Sequence, residues 1–310
     1  MKEIVTLENV TKKYGHRVAI ENISVSFEEG KITGFLGLNG AGKSTTMKII
    51  TTYFKPTSGK VYVDSIDVVE KPYKIRKLIG YLPENFPIYD NLTVLDFLRF
   101  VALAKEVENA DKEIEKTMEL VGIEEYRNRF LKELSKGYRQ RVGIAQAIIG
   151  SPKVIILDEP TQGLDPAQII EIRKLIKDLS LNRTIILSTH IMQEVEAICD
   201  NVVIIHKGKI KAHGKISELK EKIQKYSTIE YVFDKLDYSS TEKIKNILKE
   251  MNIEPKFQDN CVNINISKDE EEKVKAINKK FIEANLEFLY VNKYSLTMEN
   301  LFLEAIKEEN

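Results

Sequence analysis

The sequence predicts an α/β core with an inserted helical subdomain, followed by a small C-terminal α+β domain. Three observations lead there. β-rich runs alternate with helical patterns through the first two-thirds of the 310 residues. Strand signals vanish between Asn91 and Gly150. Past Gly214 the pattern turns to half-buried alternation mixed with helical spacing.

In chain order, Ile4–Val10 and Val18–Phe27 read as strands, and Lys31–Leu36 is a strand running into a glycine loop that opens a helix over Ser44–Thr52. Val94–Ala104, Asp111–Val121 and Tyr138–Ile149 read as the inserted helices. Val154–Leu157 and Thr184–Ser188 are short apolar strands, each followed by helix. Val202–Ile205 and Lys209–Ala212 flank His206-Lys207-Gly208, a tight hairpin. Ser217–Ile223 reads as a short bridging helix. Thr228–Phe233 and Val262–Ile266 alternate as strands; Ile244, Ile247, Leu248 and Met251 share a helical face, as do Val274, Ile277 and Phe281, and again Met298, Leu301, Phe302 and Ala305. The expected division is 1–220 (helical subdomain about 90–150) and 226–310.

Composition bounds the function. Hydrophobic residues are 43% and charged residues 30%, a globular balance. Lys+Arg and Asp+Glu are both 47, so there is no basic excess of the kind nucleic-acid binding usually shows. Cys199 and Cys261 match neither a disulfide framework nor a zinc spacing and suit a reducing compartment. No run approaches the ~20 apolar residues of a membrane span, and Met1–Ile4 lacks the apolar core of a signal peptide.

Gly37-Leu38-Asn39-Gly40-Ala41-Gly42-Lys43-Ser44 satisfies G-x-x-x-x-G-K-[ST], after a strand and before a helix. Glycines let backbone N–H groups close on phosphate oxygens, and the helix N-terminus adds its dipole. Lys43 can reach the β- and γ-phosphates as a point charge, and the Ser44 hydroxyl can ligate Mg²⁺. A second element supports the first. Val154–Leu157 ends in Asp158 and Glu159. Asp158 is placed to hold Mg²⁺ through water, and Glu159 to orient and polarise a water for attack on the γ-phosphate. The bland reading, a solvated acidic pair at a strand end, loses force beside a phosphate loop.

With these residues in view, 1–220 resembles the nucleotide-binding domain of ABC transporters, a P-loop NTPase core. Gly37–Thr45 is its phosphate loop, Asp158-Glu159-Pro160-Thr161 its Walker B, Gly163-Leu164-Asp165 its D-loop and His190 its switch histidine. Leu134–Arg141 resembles its signature motif, and Tyr14 stands where the family stacks a ring on adenine. Singly these are weak: a lone histidine is usually structural, and a Ser-x-Gly before a helix is usually a cap. Their order makes the joint signal specific. The resemblance implies ATP and Mg²⁺, with Glu159, His190 and Lys43 in catalysis. It implies nucleotide contacts from Tyr14, Gly37, Leu38, Asn39, Gly40, Ala41, Gly42, Lys43, Ser44, Thr45, Ser135 and Gly137. Ser44, Glu84 and Asp158 would take the metal. It also implies two protomers closing over two ATP molecules, as a homodimer or paired ATPase subunits, an integral membrane permease as partner, no nucleic acid, and a place at the cytoplasmic face of the plasma membrane.

Two positions depart from the commonest family pattern. Glu84 stands where glutamine is usual, and Lys136 and Tyr138 replace a glycine and a glutamine of the signature. These departures, with Ser188–Glu196 and the segment from Ser295 to Leu303, resemble ATPase subunits of ABC-2-type exporters, most nearly the gliding-motility-associated branch; gliding itself does not follow. Phe86-Pro87-Ile88-Tyr89 with Phe97, Leu98 and Phe100 is apolar enough to receive a permease helix, against the alternative that these residues are core. The main rival is a soluble ABC-type ATPase of translation or DNA repair. Those usually carry two ATPase modules or long coiled coils, whereas this chain has one phosphate loop and a short insertion. A metabolic P-loop kinase would have no use for the signature.

Overall fold

The computed structural model describes residues 2–87, 89–267, 271–295, 298–299 and 302. The chain divides into two units, Met1–Ile216 and Ser217–Asn310.

The first unit runs β1 (Glu3–Tyr14), β2 (Arg17–Glu28), β3 (Ile32–Leu36), α1 (Lys43–Ile50), β4 (Ser58–Val63), β5 (Ile66–Asp67), α2 (Pro72–Leu78), β6 (Ile79–Leu82), α3 (Val94–Ala104), α4 (Ala110–Val121), α5 (Lys136–Ile148), β7 (Val154–Asp158), α6 (Pro166–Ser180), β8 (Thr184–Thr189), α7 (Met192–Ile198), β9 (Asn201–His206) and β10 (Lys209–Lys215). One antiparallel sheet has the order β2-β1-β4-β5; the other has the order β10-β9-β3-β8-β7-β6, with β9, β3, β8, β7 and β6 parallel. Every residue of β3, β7 and β8 is buried, as parallel strands covered on both faces must be. Phe35, Ile156, Ile186 and Val203 face a core shared with Val5, Leu7, Phe27 and α1, while Ile155, Leu157, Ile185 and Leu187 face the inserted helices.

Helix ends follow local chemistry. Thr93 caps α3 by accepting from Asp96 N at 3.2 Å, and Gly122, at φ 66°, lets α4 stop in a left-handed turn. Ser135 caps α5, so this helix starts before the expected Tyr138. The hairpin turn at Lys207 and Gly208 has φ of 46° and 78°, as a two-residue hairpin requires. Strands β4 and β6 carried no clear sequence signal, because Gly59 and Lys60 dilute one and α2 runs straight into the other.

After α8 (Ile216–Lys225), whose first residue closes the first unit, the second unit contains β11 (Tyr226–Phe233), α9 (Tyr238–Glu250), β12 (Pro255–Gln258), β13 (Cys261–Ser267), α10 (Glu271–Glu283) and β14 (Phe288–Ser295). From β11 onward this is a βαββαβ unit with antiparallel order β12-β13-β11-β14, the ferredoxin-like arrangement. Ile229, Tyr231, Phe233, Val262, Ile264 and Ile266 alternate toward the core, where they meet Ile244, Leu248, Ile277 and Phe281. Of the last expected helical face, Met298 and Phe302 are buried; Leu301 and Ala305 lie outside the described residues.

Candidate functional site

Four strands bring the chemistry together. β3, β6, β7 and β8 are parallel neighbours, so Gly37, Glu84, Asp158–Glu159 and His190 all emerge at one edge of the sheet, where open α/β sheets bind ligands. Register fixes the match: Leu36 pairs with Thr189 and Asp158 with Ser188.

The loop from Gly37 to Gly42 turns through Gly40 (φ 78°) and Gly42 (φ 112°). A side chain at Gly42 would meet Ile20 and the Ala19 carbonyl, so glycine is required there both for space and for backbone. No side chain caps α1, which leaves its first amides to an anion. Lys43 Nζ donates to Gly37 O at 2.8 Å and lies 3.3 Å from Glu159 Oε1. Glu159 Oε2 accepts from His190 Nδ1 at 2.9 Å. Glu159 sits at φ 51°, a region that costs a glutamate about 1–3 kcal/mol; its N–H donates to Ser188 O at 2.9 Å, which helps hold that turn.

Asp158 is buried at the end of β7, and its Oδ1 has no hydrogen-bond partner. Burial raises its carboxyl above the ordinary carboxylate value. The Ser188 and Ser44 hydroxyls oppose that rise, and the charges of Glu84 and Glu159 add to it.

A cleft of about 840 Å³ is lined by Tyr14, Asn39, Lys43, Ser44, Glu84 and Glu159 among others. Gly40, Gly42 and Thr45 line it too. Tyr14 is braced edge-on by Phe54 at 5.8 Å, with Lys12 Nζ 5.2 Å over the Tyr14 ring. Sequence reasoning did not single out Arg17, Lys48, Phe54 or Lys207, which also line the cleft. Lys207 had a local signal, since the hairpin turn was legible; Phe54 had none.

Not every expected contact residue lines this cleft. Ala41 packs into the core, and Gly37 and Leu38 do not line the cleft. Ser135 and Gly137 are absent from its lining as well: Ser135 caps α5, and Gly137 is buried against Gln168. Asp165 caps α6 by accepting from Gln168 N at 2.9 Å. Among the apolar residues expected to meet a partner, Phe97 and Leu98 are core, because α3 turns that face inward. Phe86 is half-buried against Phe97 at 5.5 Å. Tyr89 and Phe100 are exposed and 6.2 Å apart, and Ile88 lies outside the described residues.

A phosphate loop opening a helix after β3, a paired carboxylate at the end of the parallel strand β7 and a histidine after β8 against it define a P-loop ATPase. A family model described as ABC transporter matches residues 20–162. The bacitracin transport ATP-binding protein BcrA of Bacillus licheniformis is 31% identical over 313 residues, spanning 99% of this chain and 98% of that protein. BcrA of Enterococcus faecalis is 33% identical, spanning 99% of this chain and 97% of its own. The dimeric structure of MJ0796, a bacterial ABC transporter cassette, superposes with a TM-score of 0.63 at 29% identity, covering 69% of this chain and 99% of that one. A post-hydrolysis state of the same cassette bound to ADP and Pi gives 0.64 at 29% identity, with the same coverage of 69% and 99%. The chain belongs to the ABC transporter family as an ATP-binding subunit, and it is an ATP hydrolase.

Proposed function

We propose that this subunit closes as a dimer around two Mg²⁺-ATP and drives a separate membrane permease of the ABC-2 exporter type. The observation that carries the reading is the run of contacts from buried Lys43 through buried Glu159 to half-buried His190, with Lys43 and Glu159 lining a cleft that Ser135 and Gly137 do not line. ATP held by one chain would then find the signature residues only on a second, and the charge on the γ-phosphate supplies the attraction that joins them.

In this reading the first amides of α1 and the Lys43 ammonium bind the phosphates, and Tyr14 takes the adenine. Glu159 accepts the proton of the attacking water, with His190 holding its carboxylate in place. The residues fit a divalent cation: the unpartnered Asp158 Oδ1 lies beside Ser44, with Glu84 at the same cleft. Ser44, Asp158 and Glu84 would hold Mg²⁺, which supplies positive charge to the phosphate oxygens when bound. Loss of phosphate removes the charge that joined the protomers, and they part.

The exporter assignment rests on Glu84, Lys136 and Tyr138 and on the likeness to bacitracin transport proteins along nearly the whole chain. Tyr89 and Phe100, exposed on the inserted helical region, are the surface we assign to the permease. No helix among the described residues is long and apolar enough to cross a membrane, so a permease would hold the subunit at the cytoplasmic face of the plasma membrane. Co-expression with an integral membrane protein encoded beside it tests this. The chain should sediment with membranes only in that company, and its ATPase rate should rise; a chain that stays in the supernatant with such a partner counts against the coupling.

A further inference from the structure

We propose that Glu194 is a positioning residue for hydrolysis, its buried carboxylate tying the turn after β7 to the turn after β8 so that Glu159 stays against His190. The proposal rests on the reading of Glu159 and His190 given above. Glu194 lies in α7 and is 1% exposed, a place where a carboxylate is rarely left without a task. One oxygen goes to each turn. Oε1 accepts from the hydroxyl of Thr161, two residues past Glu159. Oε2 accepts from the hydroxyl of Thr189, the residue before His190, at 2.7 Å. Thr189 Oγ1 in turn accepts from Ile191 N at 3.1 Å, so the chain on both sides of His190 is held through one hydroxyl.

The clamp answers a specific need. Glu159 occupies the left-handed region at φ 51°, where a non-glycine residue persists only if its surroundings over-determine it. Beyond its own N–H bond to Ser188 O, the turn that follows is anchored at Thr161, and the anchor is Glu194. Burial raises the Glu194 carboxyl above its ordinary value, while the Thr189 hydroxyl and the charge of Arg173 pull it back. A carboxylate suits the place because both oxygens accept; an amide of the same shape offers one acceptor and a donor, and cannot receive both threonine hydroxyls.

Steady-state ATPase and calorimetric Mg²⁺-ATP binding of the full chain test this with Glu194→Gln, Thr189→Val and Thr189→Ser, and with Glu159→Gln as control. Glu194→Gln and Thr189→Val should each lower kcat about 10- to 100-fold, with KM and Kd within about two-fold of wild type. Thr189→Ser, which keeps the hydroxyl, should keep the rate. The Glu194→Gln/Thr189→Val pair should be no slower than the slower single variant, since both remove one clamp. Near-wild-type kcat in both variants with only a lowered Tm would make Glu194 a mere packing element and overturn the proposal. So would an equal loss of ATP affinity. Should Glu194→Gln fail to fold, the threonine variants carry the test. Wild-type turnover by Glu159→Gln would instead overturn the assignment of Glu159 itself, a result separable from the other outcomes.

Discussion

Glu159 and Lys43 form an ion pair at 3.3 Å in which both side chains are 6% exposed. The ammonium that a phosphate needs is therefore already engaged by the carboxylate that would activate water. A triphosphate arriving at Lys43 competes with Glu159 for it, and in doing so frees the carboxylate.

Glu159→Gln should bind ATP at least as tightly as wild type, because it removes the competitor and a negative charge beside the γ-phosphate. Its hydrolysis rate should fall about 100- to 10,000-fold. Calorimetry with a single-turnover assay checks both halves. Sedimentation with saturating Mg²⁺-ATP should show the variant accumulating as a dimer; a monomer under those conditions removes the two-protomer reading.

Glu84→Gln should preserve Mg²⁺-ATP binding, since an amide oxygen can still ligate a hard cation. Its charge also raises Asp158, so neutralising it should ease that carboxylate toward its ordinary value. A Mg²⁺ titration of ATP binding reads the outcome, and complete loss would make the carboxylate a required ligand.

Asp158 should lower stability at neutral pH. Its folded-state carboxyl is raised by burial, so the native chain holds that proton more firmly than the unfolded one. Stability falls as pH climbs from the ordinary Asp value, about 3.9, through the folded value, and stays lowered above it. Asp158→Asn should therefore raise Tm at pH 7, by about 2–4 °C for each kcal/mol recovered, while hydrolysis is lost. The Tm gain should vanish below the ordinary carboxylate range. Thermal melts across pH decide it, and an unchanged gain at acid pH would exclude this cause.

Lys105 holds the end of α5. Its Nζ donates to the carbonyls of Gln146 (2.8 Å), Ala147 (3.1 Å) and Ile149 (2.9 Å), joining the end of α3 to the last turn of the helix that Ser135 begins. Lys105→Met keeps the stem and strips the donors, and should cost about 1–3 kcal/mol. Urea denaturation measures it, and amide exchange should show the loss concentrated near Ile148.

What the sequence determined by itself is what contiguous residues encode. The phosphate loop, the start of α1, the acidic end of β7 and the hairpin at Lys207-Gly208 depend on φ values and caps set within a few residues, and the motif order pointed to one family. The alternation of 228–233 and 262–266 is equally local. Tertiary structure decided what depends on which surfaces meet. Phe97 and Phe100 are three residues apart on one helix, yet one is core and the other exposed, because the packing of α3 against its neighbours chooses the face. Glu194 reads in sequence as an ordinary helical acid; only the parallel pairing of β7 with β8 brings Thr161 and Thr189 to its two oxygens. Lys105 and Gln146 are 41 positions apart, and no periodicity links them. Short-range geometry is written in the order of residues, whereas burial and charge pairing are properties of the assembled interior.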